Sequence, residues 1–427
     1  YIIFLCFKIN IYIHINMGGG LLQLSIYGTE DMYITGNPNI TYMKKTYKRY
    51  TNFGLETIAS DTKLVNFGNN VDFLLGNAGD LLHKIVLEVK IPSISDSTNK
   101  YAWCKYLGHA LIENVSIDID GNKYDEYSGE YIHCYTRINE SKDKINEYDE
   151  MIGHRDELNM YDLSKDESTI RIPLLFWFCN DIGLSLPILK IQEKKIKISV
   201  KFRDIGDVLS VYNGSIYDTY NGSINPMSVR LLLNYVYLDN SERSNFIQYS
   251  STYLITQVQM LNFIPFKHNI IDISVDLNHP VKEILWFLRL DKQLQNGYLD
   301  YFNFTEHRNT RSFVDNNYIE SLDSSDLIAK NVQFYINGIQ RTPDYDSRYF
   351  QYIEPYYYHD NIPKDGLMIY SFSLYPQNYQ PSGTCNMTLV DSFLMKLKLN
   401  VNEEGRVQIF GINYNVIEFT EGNIVLK

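Results

Sequence analysis

Residues 114–121 have the sequence NVSIDIDG, and residues 331–338 have the sequence NVQFYING. Both stretches fit the pattern NVxxxI[DN]G, in which a candidate strand runs into an Asp-Gly or Asn-Gly pair. Such pairs accept the positive φ angles of a type I′ turn, so each stretch predicts a β-hairpin. A Tyr-Asp pair follows both copies, at residues 124–125 and 345–346. The repeat therefore predicts two similar β domains in tandem.

Short strand-like runs occur throughout the chain. Examples are IVLEV at residues 85–89, IKISVKF at 196–202 and MKLKL at 395–399. In the last two, lysines alternate with apolar residues, as a sheet with one face in water requires. The 36 tyrosines and 21 phenylalanines also favour strands, because aromatic side chains fit a pleated, half-buried surface. We expect an all-β protein with few helices.

The length of 427 residues allows two or three domains, and the repeat favours two. We place the first domain at residues 41–228 and the second at residues 229–427. Residues 206–228 hold two Asn-Gly-Ser units and Pro226, and predict an exposed loop that ends the first domain. Residues 231–246 are expected to carry the crossover and the first turn of a short helix.

The N-terminal residues 1–16 (YIIFLCFKINIYIHIN) are apolar but contain Lys8, Asn10 and His14. The run is too short and too interrupted for a membrane span, and it has no small-residue cleavage site. We expect Met17 to be the true start and residues 1–16 to be upstream sequence; an uncleaved hydrophobic anchor is the alternative. No later run approaches the ~18 apolar residues of a transmembrane segment, so we expect none.

The formal net charge is -12, with a pI near 5.3. Such a surface repels phosphate backbones, so direct contact with nucleic acid is not expected. The local exception is a basic run interleaved with tyrosines that could in principle stack bases. We interpret this run as a charged strand facing solvent or a neighbouring subunit. Its members are Tyr42, Lys44, Lys45, Tyr47, Lys48, Arg49 and Tyr50.

The five cysteines are scattered, with no CxxC pair. Neither a disulfide framework nor a local zinc site is encoded, and a reducing compartment fits best. Cys179 follows three aromatic residues and is expected to be a buried thiol.

Motifs of catalysis are missing from the sequence. No two of the nine histidines lie within four residues, which argues against metal motifs such as HExxH and against the cupin enzymes. Nucleophile elbows and phosphate-binding loops are also absent. The acidic residues Asp118, Asp120, Asp125 and Glu126 could form a glycosidase-type pair, but beside an Asp-Gly turn we interpret them as solvated loop residues. We expect no enzyme activity, no cofactor and no metal.

Seven Asn-x-Ser/Thr sequons occur in the sequence. They matter only if the protein meets a glycosylation machinery. Asn213 and Asn221, in the predicted loop, are the candidates for glycosylation.

A series of short landmarks runs in order from about residue 18 to residue 418. They are GGGLLQL (18–24), YG (27–28), DMYITGNP (31–38), TNF (51–53), IPLLFWF (172–178), LSLP (184–187), NYVYLD (234–239), NHPVKE (278–283), QPSGTCN (380–386) and NYNV (413–416). The ordered set resembles the major capsid proteins of nucleocytoplasmic large DNA viruses. Its family-motif residues are Gly28, Gly36, Asn37, Pro38, Asn52, Phe53, Phe176, Trp177, Phe178, Pro187, His279, Pro280, Pro381, Ser382, Gly383, Asn413 and Tyr414.

The resemblance implies two tandem eight-stranded jelly-roll β-barrels. It also implies a homotrimer whose six barrels form a pseudo-hexagonal capsomer of an icosahedral shell, assembled in the host cytoplasm. Residues 17–40 would be a base segment that contacts minor capsid proteins or neighbouring capsomers, with penton proteins as further partners and an internal viral membrane nearby. The aromatic residues 352–358 are candidates for a subunit interface, and equally for the core of one barrel.

Two other interpretations stay open at this point. A carbohydrate-binding or carbohydrate-cleaving jelly-roll protein would also be aromatic-rich and all-β, but it would be a monomer with glycan affinity. A capsid-like paralogue could act as a scaffold or minor capsid component.

Overall fold

The computed structural model describes residues 19–214, 217–295, 297–306, 327–363, 366–420 and 422–426. The chain divides into two compact units, Tyr1–Thr51 and Asn52–Lys427. The expectations for residues 1–16 and for Met17 fall outside the described residues.

In the first unit, the described residues 19–51 form two short helices, α1 (Gly19–Ser25) and α2 (Asp31–Thr35). Neither helix buries a side chain. The basic run from Lys44 to Arg49 is also exposed and lies outside any strand, so the expectation that it forms a charged strand is wrong.

The second unit begins with the first barrel and two small sheets, whose described strands end at residue 238. In chain order they are β1 (Phe53–Ala59), β2 (Lys63–Val65), β3 (Asn70–Leu74), β4 (Leu81–Ile91), β5 (Ile94–Ser95), β6 (Lys100–Trp103), β7 (Ile112–Ile119), β8 (Asn122–Tyr127), β9 (Ser164–Lys165), β10 (Ser168–Pro173), β11 (Ile196–Phe202), β12 (Leu209–Tyr212), β13 (Tyr217–Thr219) and β14 (Met227–Leu238).

A second barrel follows, with its own set of strands. They are β15 (Ser251–Met260), β16 (Ile264–Phe266), β17 (Ile270–Ser274), β18 (Pro280–Leu290), β19 (Ala329–Ile336), β20 (Ile339–Gln340), β21 (Tyr345–Asp346), β22 (Met368–Ser371), β23 (Cys385–Asn386), β24 (Phe393–Leu399), β25 (Gly405–Thr420) and β26 (Asn423–Leu426).

Both barrels have the same topology. The first pairs β1-β14-β4-β10 in one sheet, with β2 also on β14, and β3-β11-β7-β8 in the other. The second pairs β15-β25-β18-β22, with β16 also on β25, and β17-β24-β19-β20. If β1 with β2, and β15 with β16, each count as one strand, eight principal strands per barrel follow the same order. This is the double jelly roll that the resemblance implied, and the fold prediction is confirmed.

The repeated hairpins have the predicted turn geometry. Asp120 and Gly121 have φ angles of 54° and 85°, and Asn337 and Gly338 have φ angles of 50° and 76°. The predicted strand at residues 196–202 is β11, whose alternating burial places Lys197 and Lys201 on the outer face. Local pattern was sufficient to identify these elements.

Helices are few and lie in the connections. Among the described residues of Asn52–Lys427 they are α3 (Leu107–Leu111), α4 (Gly129–Asn139), α5 (Lys142–Met151), α6 (Asp156–Asn159), α7 (Trp177–Asn180), α8 (Ile205–Val208), α9 (Asn240–Gln248) and α10 (Glu354–Tyr358), with a π-helical turn at Tyr349–Ile353 and 3-10 turns at Ile182–Leu184, Ile188–Lys190, Asp291–Gln293 and Met387–Leu389. The longest described helix, α4, has 11 residues, so no helix in the described ranges could cross a membrane.

Two sequence expectations need correction. The boundary set between residues 228 and 229 falls inside β14, which pairs with β1 and β4 of the first barrel, so the division lies at α9 instead. The predicted loop at 206–228 contains β12 and β13, and β12 pairs with both β13 and β6 in a small sheet. Strand β12 buries Leu209 and Ser210. The sequence did not predict this strand, because the two Asn-Gly-Ser units nearby favoured a loop.

Candidate functional site

The two barrels meet across one face of the sheet β15-β25-β18-β22. Strand β18 is buried along nearly its whole length, because both of its faces are covered. Ile284, Trp286 and Leu288 point into the core of the second barrel. Leu285 and Phe287 point the opposite way and join the hydrophobic cluster of the first barrel. Burial of a side chain of this size contributes about 1.5–3 kcal/mol to the free energy of folding. The contact between the barrels therefore stabilises the chain as a hydrophobic core does.

Aromatic rings extend this contact. Tyr131 on α4 lies against Phe410 on β25, with ring centroids 5.5 Å apart. His133, also on α4, stacks on Phe302 at 4.0 Å with an interplanar angle of 18°. Helix α4 of the first barrel is therefore packed against both the sheet and the loop at residues 297–306 of the second barrel.

A buried cluster of charges lies beside these rings. The Glu130 carboxylate is 2.6 Å from the Arg203 guanidinium and 3.6 Å from that of Arg289, which comes from β18. Both guanidinium groups also lie over the ring of Tyr301, at 4.6 Å and 5.3 Å. Burial alone would raise the pKa of Glu130, but the two arginines outweigh it and hold that pKa below its usual value.

Hydrogen bonds cross the same contact at its polar edge. Gln257 on β15 donates to the Tyr124 carbonyl at 2.6 Å. Gln377 donates to the Asn139 side chain at 2.9 Å. Lys190 donates to the Tyr249 carbonyl at 2.5 Å. A buried donor or acceptor that lacks a partner destabilises the folded state. These hydrogen bonds therefore favour one relative position of the two barrels.

A cleft of about 170 Å³ remains between the barrels. Asp125 lines it, and burial raises the pKa of this carboxyl to about 7. The expectation of a solvated residue is therefore wrong for Asp125, because the second barrel covers strand β8. Asp118, Asp120 and Glu126 instead form ion pairs with Lys197, Lys194 and Lys123.

The fold brings together histidines that the sequence separates. The Nδ1 atoms of His109 and His133 lie 3.3 Å apart, and His109 Nε2 is 2.8 Å from the Tyr148 hydroxyl. Burial lowers the pKa of both histidines well below the usual value, so both rings are neutral. No group of three His, Cys, Asp or Glu side chains suited to a metal ion occurs among the described residues.

Burial disfavours the thiolate form of two cysteines, because it raises the pKa of both Cys179 and Cys385. Cys104 and Cys134 are buried, and Cys179 and Cys385 are partly buried. Burial raises the pKa of Cys179 to about 12, which suppresses the reactive thiolate.

Three consecutive aromatic motif residues lie in the core of the first barrel. Phe176, Trp177 and Phe178 are buried, and Phe176 lies 5.4 Å from the Tyr127 ring. Pro187 directly precedes the 3-10 turn at Ile188–Lys190.

In the second barrel, motif residues build turns and strand ends. His279 has a φ of 63°, its N–H donates to Thr388, and Pro280 opens β18. The Ser382 hydroxyl is 2.6 Å from the Ser373 hydroxyl. Gly383 has a φ of 138°, and a Cβ there would lie 2.7 Å from the Phe372 carbonyl, which explains the glycine after Pro381.

Two motif residues lie directly at the contact between barrels. Asn413 lines a pocket together with residues 123–126 of the first barrel and accepts a hydrogen bond from Gln259 at 2.9 Å, and Tyr414 lines the cleft. Both are buried.

The remaining motif residues lie near the start of the described chain. In the first unit, Gly28 donates to Asp31, Gly36 donates to Met32, and Asn37, with a φ of 51°, precedes Pro38. Asn52 and Phe53 begin the second unit at strand β1. The structure thus distributes the motif residues among core, turns and contact, and does not gather them into one site.

Comparison with known proteins agrees with this architecture. Family sequence models described as "Major capsid protein N-terminus" and "Large eukaryotic DNA virus major capsid protein" match residues 41–239 and 242–425. The chain is 31% identical to the major capsid protein of Pyramimonas orientalis virus over 95% of this chain and 98% of that protein. It is 29% identical to the major capsid protein of Paramecium bursaria Chlorella virus 1, over 89% and 87% of the two chains.

Solved structures share the fold. The PBCV-1 virus capsid matches with a TM-score of 0.76 at 22% identity, over 90% of this chain and 99% of that one. The Faustovirus major capsid protein matches with a TM-score of 0.74 at 14% identity, over 91% and 94%.

Two barrels of one topology, joined by a buried face, define a double jelly-roll protein of the viral-shell class. The chain belongs to the family of major capsid proteins of large eukaryotic DNA viruses. It is a structural protein of the virion capsid shell, and the predicted resemblance is confirmed.

Proposed function

We propose that three copies of this chain form a homotrimeric capsomer with six barrels in a pseudo-hexagonal ring. The observation that supports this proposal most strongly is that one chain contains two barrels of identical strand order, packed side by side. Three such chains arranged head to tail close a ring through heterologous interfaces. Barrels also leave few open sheet edges, which limits uncontrolled strand pairing while the loops contact neighbours.

The test is the mass and outline of protein expressed from Met17. Size-exclusion chromatography with light scattering should give three times the chain mass, and negative-stain images should show hexagonal particles. A monomer without such particles over the whole concentration range would contradict the capsomer and favour a glycan-binding protein, to be checked on a glycan array.

We further propose that residues 17–40 form the base segment that contacts minor capsid proteins, penton proteins or neighbouring capsomers. Support comes from the apolar side chains that α1 and α2 expose, among them Leu24, Tyr33 and Ile34. Deleting residues 19–40 should leave the trimer intact and abolish its incorporation into particles. Normal incorporation of the deleted chain would contradict this role.

We propose Asn213 and Asn221 as glycosylation sites, because both are exposed, Asn213 between β12 and β13 and Asn221 between β13 and β14. Mass spectrometry of peptides from purified particles should find glycan at either asparagine. If every peptide that contains Asn213 or Asn221 is unmodified, the proposal is contradicted.

A further inference from the structure

Phe302, in the loop at residues 297–306 of the second barrel, closes over two buried histidines of the first barrel. It stacks on His133 at 4.0 Å and meets the ring of His109 edge-on at 6.2 Å. It also lies 5.8 Å from the ring of Tyr106. Phe302 is 4% exposed, and neither histidine is more than 1% exposed. Water can therefore reach the histidines from this side only if Phe302 moves.

These two histidines, the histidine pair, share one hydrogen atom between their rings. Their Nδ1 atoms lie 3.3 Å apart, so one ring donates and the other accepts. His109 has a second partner, because its Nε2 lies 2.8 Å from the Tyr148 hydroxyl. The Nε2 of His133 is buried and has no hydrogen-bond partner in the described part of the chain. While the pair is neutral, His133 can donate through Nδ1 and leave its Nε2 without a hydrogen.

One added proton removes this arrangement. Whichever ring takes it up, both Nε2 atoms then carry a hydrogen, because the rings share only one hydrogen through Nδ1. The Nε2–H of His133 is left without an acceptor, and a positive charge lies away from water. Both changes destabilise the buried state. Attraction between the charge and the Phe302 ring offsets only part of this penalty.

The charges around the pair also oppose its protonation. Burial lowers the pKa of His109 and of His133 well below the usual value, and the Arg137 guanidinium on α4 lowers both further. His154, which lies 4.1 Å from the Tyr106 ring, also has a pKa lowered by burial. Asp149 on α5 already pairs with Arg137 at 2.7 Å. The other titratable groups around the cluster are Lys105, Tyr106, Glu140, Tyr148 and Tyr301.

Other buried groups at the contact between the barrels respond differently to acid. Burial raises the pKa of Glu130 and of Glu283, but their charged and hydrogen-bonded partners outweigh it, so both pKa values lie below the usual value. Burial raises the pKa of Asp125 to about 7. Acid therefore leaves the two glutamates charged and removes the buried charge of Asp125, which favours the contact. The histidine pair acts in the opposite direction.

The loop that carries Phe302 is held mainly by its own barrel. Arg289 donates to the Tyr301 carbonyl at 3.1 Å, and Gln293 donates to the Thr305 carbonyl at 2.6 Å. Phe302 itself reaches the first barrel through ring contacts. On the other side of the pair, the buried ion pair between α4 and α5 holds the helices together. The separation that exposes the histidines most easily is therefore between α4 and this loop.

We propose that mild acid opens the contact between the two barrels at the histidine pair, by separating α4 from the loop at residues 297–306. An open contact gives both rings access to water, so they bind protons with a pKa near the usual 6.5. The closed contact is therefore fully stable above pH 6.5 and loses stability as the pH falls below it. Each barrel keeps its fold, because its strands pair within that barrel. The inference does not depend on the proposed trimer, since both surfaces belong to one chain.

Oxidation by hydroxyl radicals measures this opening on the full chain, because the reaction follows the exposure of a side chain to water. From pH 7.5 to pH 5 the opening constant should rise by up to about 30-fold for each histidine that takes up a proton. Phe302 should therefore be oxidised much faster at pH 5. Phe202 and Phe334, fully buried in the cores of the first and second barrels, should stay protected at both pH values.

Two variants and one control assign the effect to the histidine pair. His133→Gln removes a titrating ring and keeps a side chain that forms hydrogen bonds, so Phe302 should be equally protected at pH 7.5 and pH 5. His109→Gln tests the pair from its other ring and should also reduce the response. His83→Gln is the matched control. His83 is buried and has a pKa lowered by burial, but its ring contacts the Phe178 carbonyl within the first barrel. This variant should open in acid as the wild type does.

Three results would overturn the proposal. In the first, Phe302 of the wild type stays protected at pH 5. In the second, Phe202 and Phe334 are oxidised together with Phe302, which would mean that acid unfolds the barrels and does not open one contact. In the third, both pair variants are oxidised at Phe302 as fast as the wild type at pH 5, or the His83→Gln control loses its acid response to the same extent as they do.

Discussion

The guanidinium of Arg289, on a strand of the second barrel, lies 3.6 Å from the carboxylate of Glu130 in the first barrel. Both side chains are buried, and Arg203 completes the cluster at 2.6 Å from Glu130. Removing one partner of a buried ion cluster leaves an uncompensated charge away from water, which costs more than the pair itself contributes. The two barrels are therefore coupled through charge as well as apolar area.

Glu130→Leu should lower the free energy of unfolding by about 3–5 kcal/mol, because two guanidinium groups lose their counter-charge. Glu113→Leu is the matched control, since its pair with Lys201 is about half exposed and should contribute at most ~1 kcal/mol. Chemical denaturation of both variants measures the difference. Equal losses would show that the buried cluster has no special role.

Asp125→Asn should stabilise the protein at neutral and alkaline pH. The pKa of Asp125 is raised from 3.8 to about 7 by burial, so the folded state holds a proton that the unfolded state releases. Asp125 therefore lowers the free energy of unfolding at high pH. This loss is absent below pH 3.8, grows as the pH rises, and is complete above pH 7, at up to about 4 kcal/mol. Thermal unfolding at pH 8 and pH 4 measures this difference.

The control for this change is Asp61→Asn, at an exposed carboxylate. A gain for Asp125→Asn that is as large at pH 4 as at pH 8 would contradict the ionisation argument.

Local elements were predictable from sequence, but pairings between distant segments were not. The hairpins at Asp120-Gly121 and Asn337-Gly338 follow from dipeptide chemistry, and β11 follows from alternation, because each depends on adjacent residues. The contact of Glu130 with Arg289 depends on how two finished barrels pack, and no local pattern encodes it. A signal was present nevertheless: Arg289 lies in the apolar run ILWFLRL, where a charge predicts a buried partner.

The same limit explains the remaining errors. His109 and His133 come from different helices and meet only through the fold. Asp125 looked solvated because it follows a turn, whereas the second barrel covers it. Strand β12 was hidden by neighbouring turn residues, since short strands at a barrel edge carry little pattern.

His133→Gln should reduce the loss of stability that the protein shows as the pH falls from 7.5 to 5. Burial lowers the folded pKa of His133 below 6.5, so the unfolded state binds a proton first, and stability falls as the pH drops below 6.5. Each such histidine contributes at most about 1.4 kcal/mol per pH unit to this loss. Thermal unfolding from pH 7.5 to pH 5 measures the slope. The exposed His268→Gln control should keep the wild-type slope, and an unchanged slope for His133→Gln would contradict the prediction.

Gly121→Ala and Gly338→Ala should destabilise the protein by similar amounts, about 1 kcal/mol each. Both glycines have positive φ, and a Cβ at either would meet nothing within 4 Å, so the cost is backbone strain alone. Gly76→Ala is the control, because its site is equally open and its φ is not positive. Denaturation midpoints of the three variants provide the measurement. A large difference between Gly121→Ala and Gly338→Ala would mean that the two hairpins, despite their shared sequence pattern, do not carry the same turn.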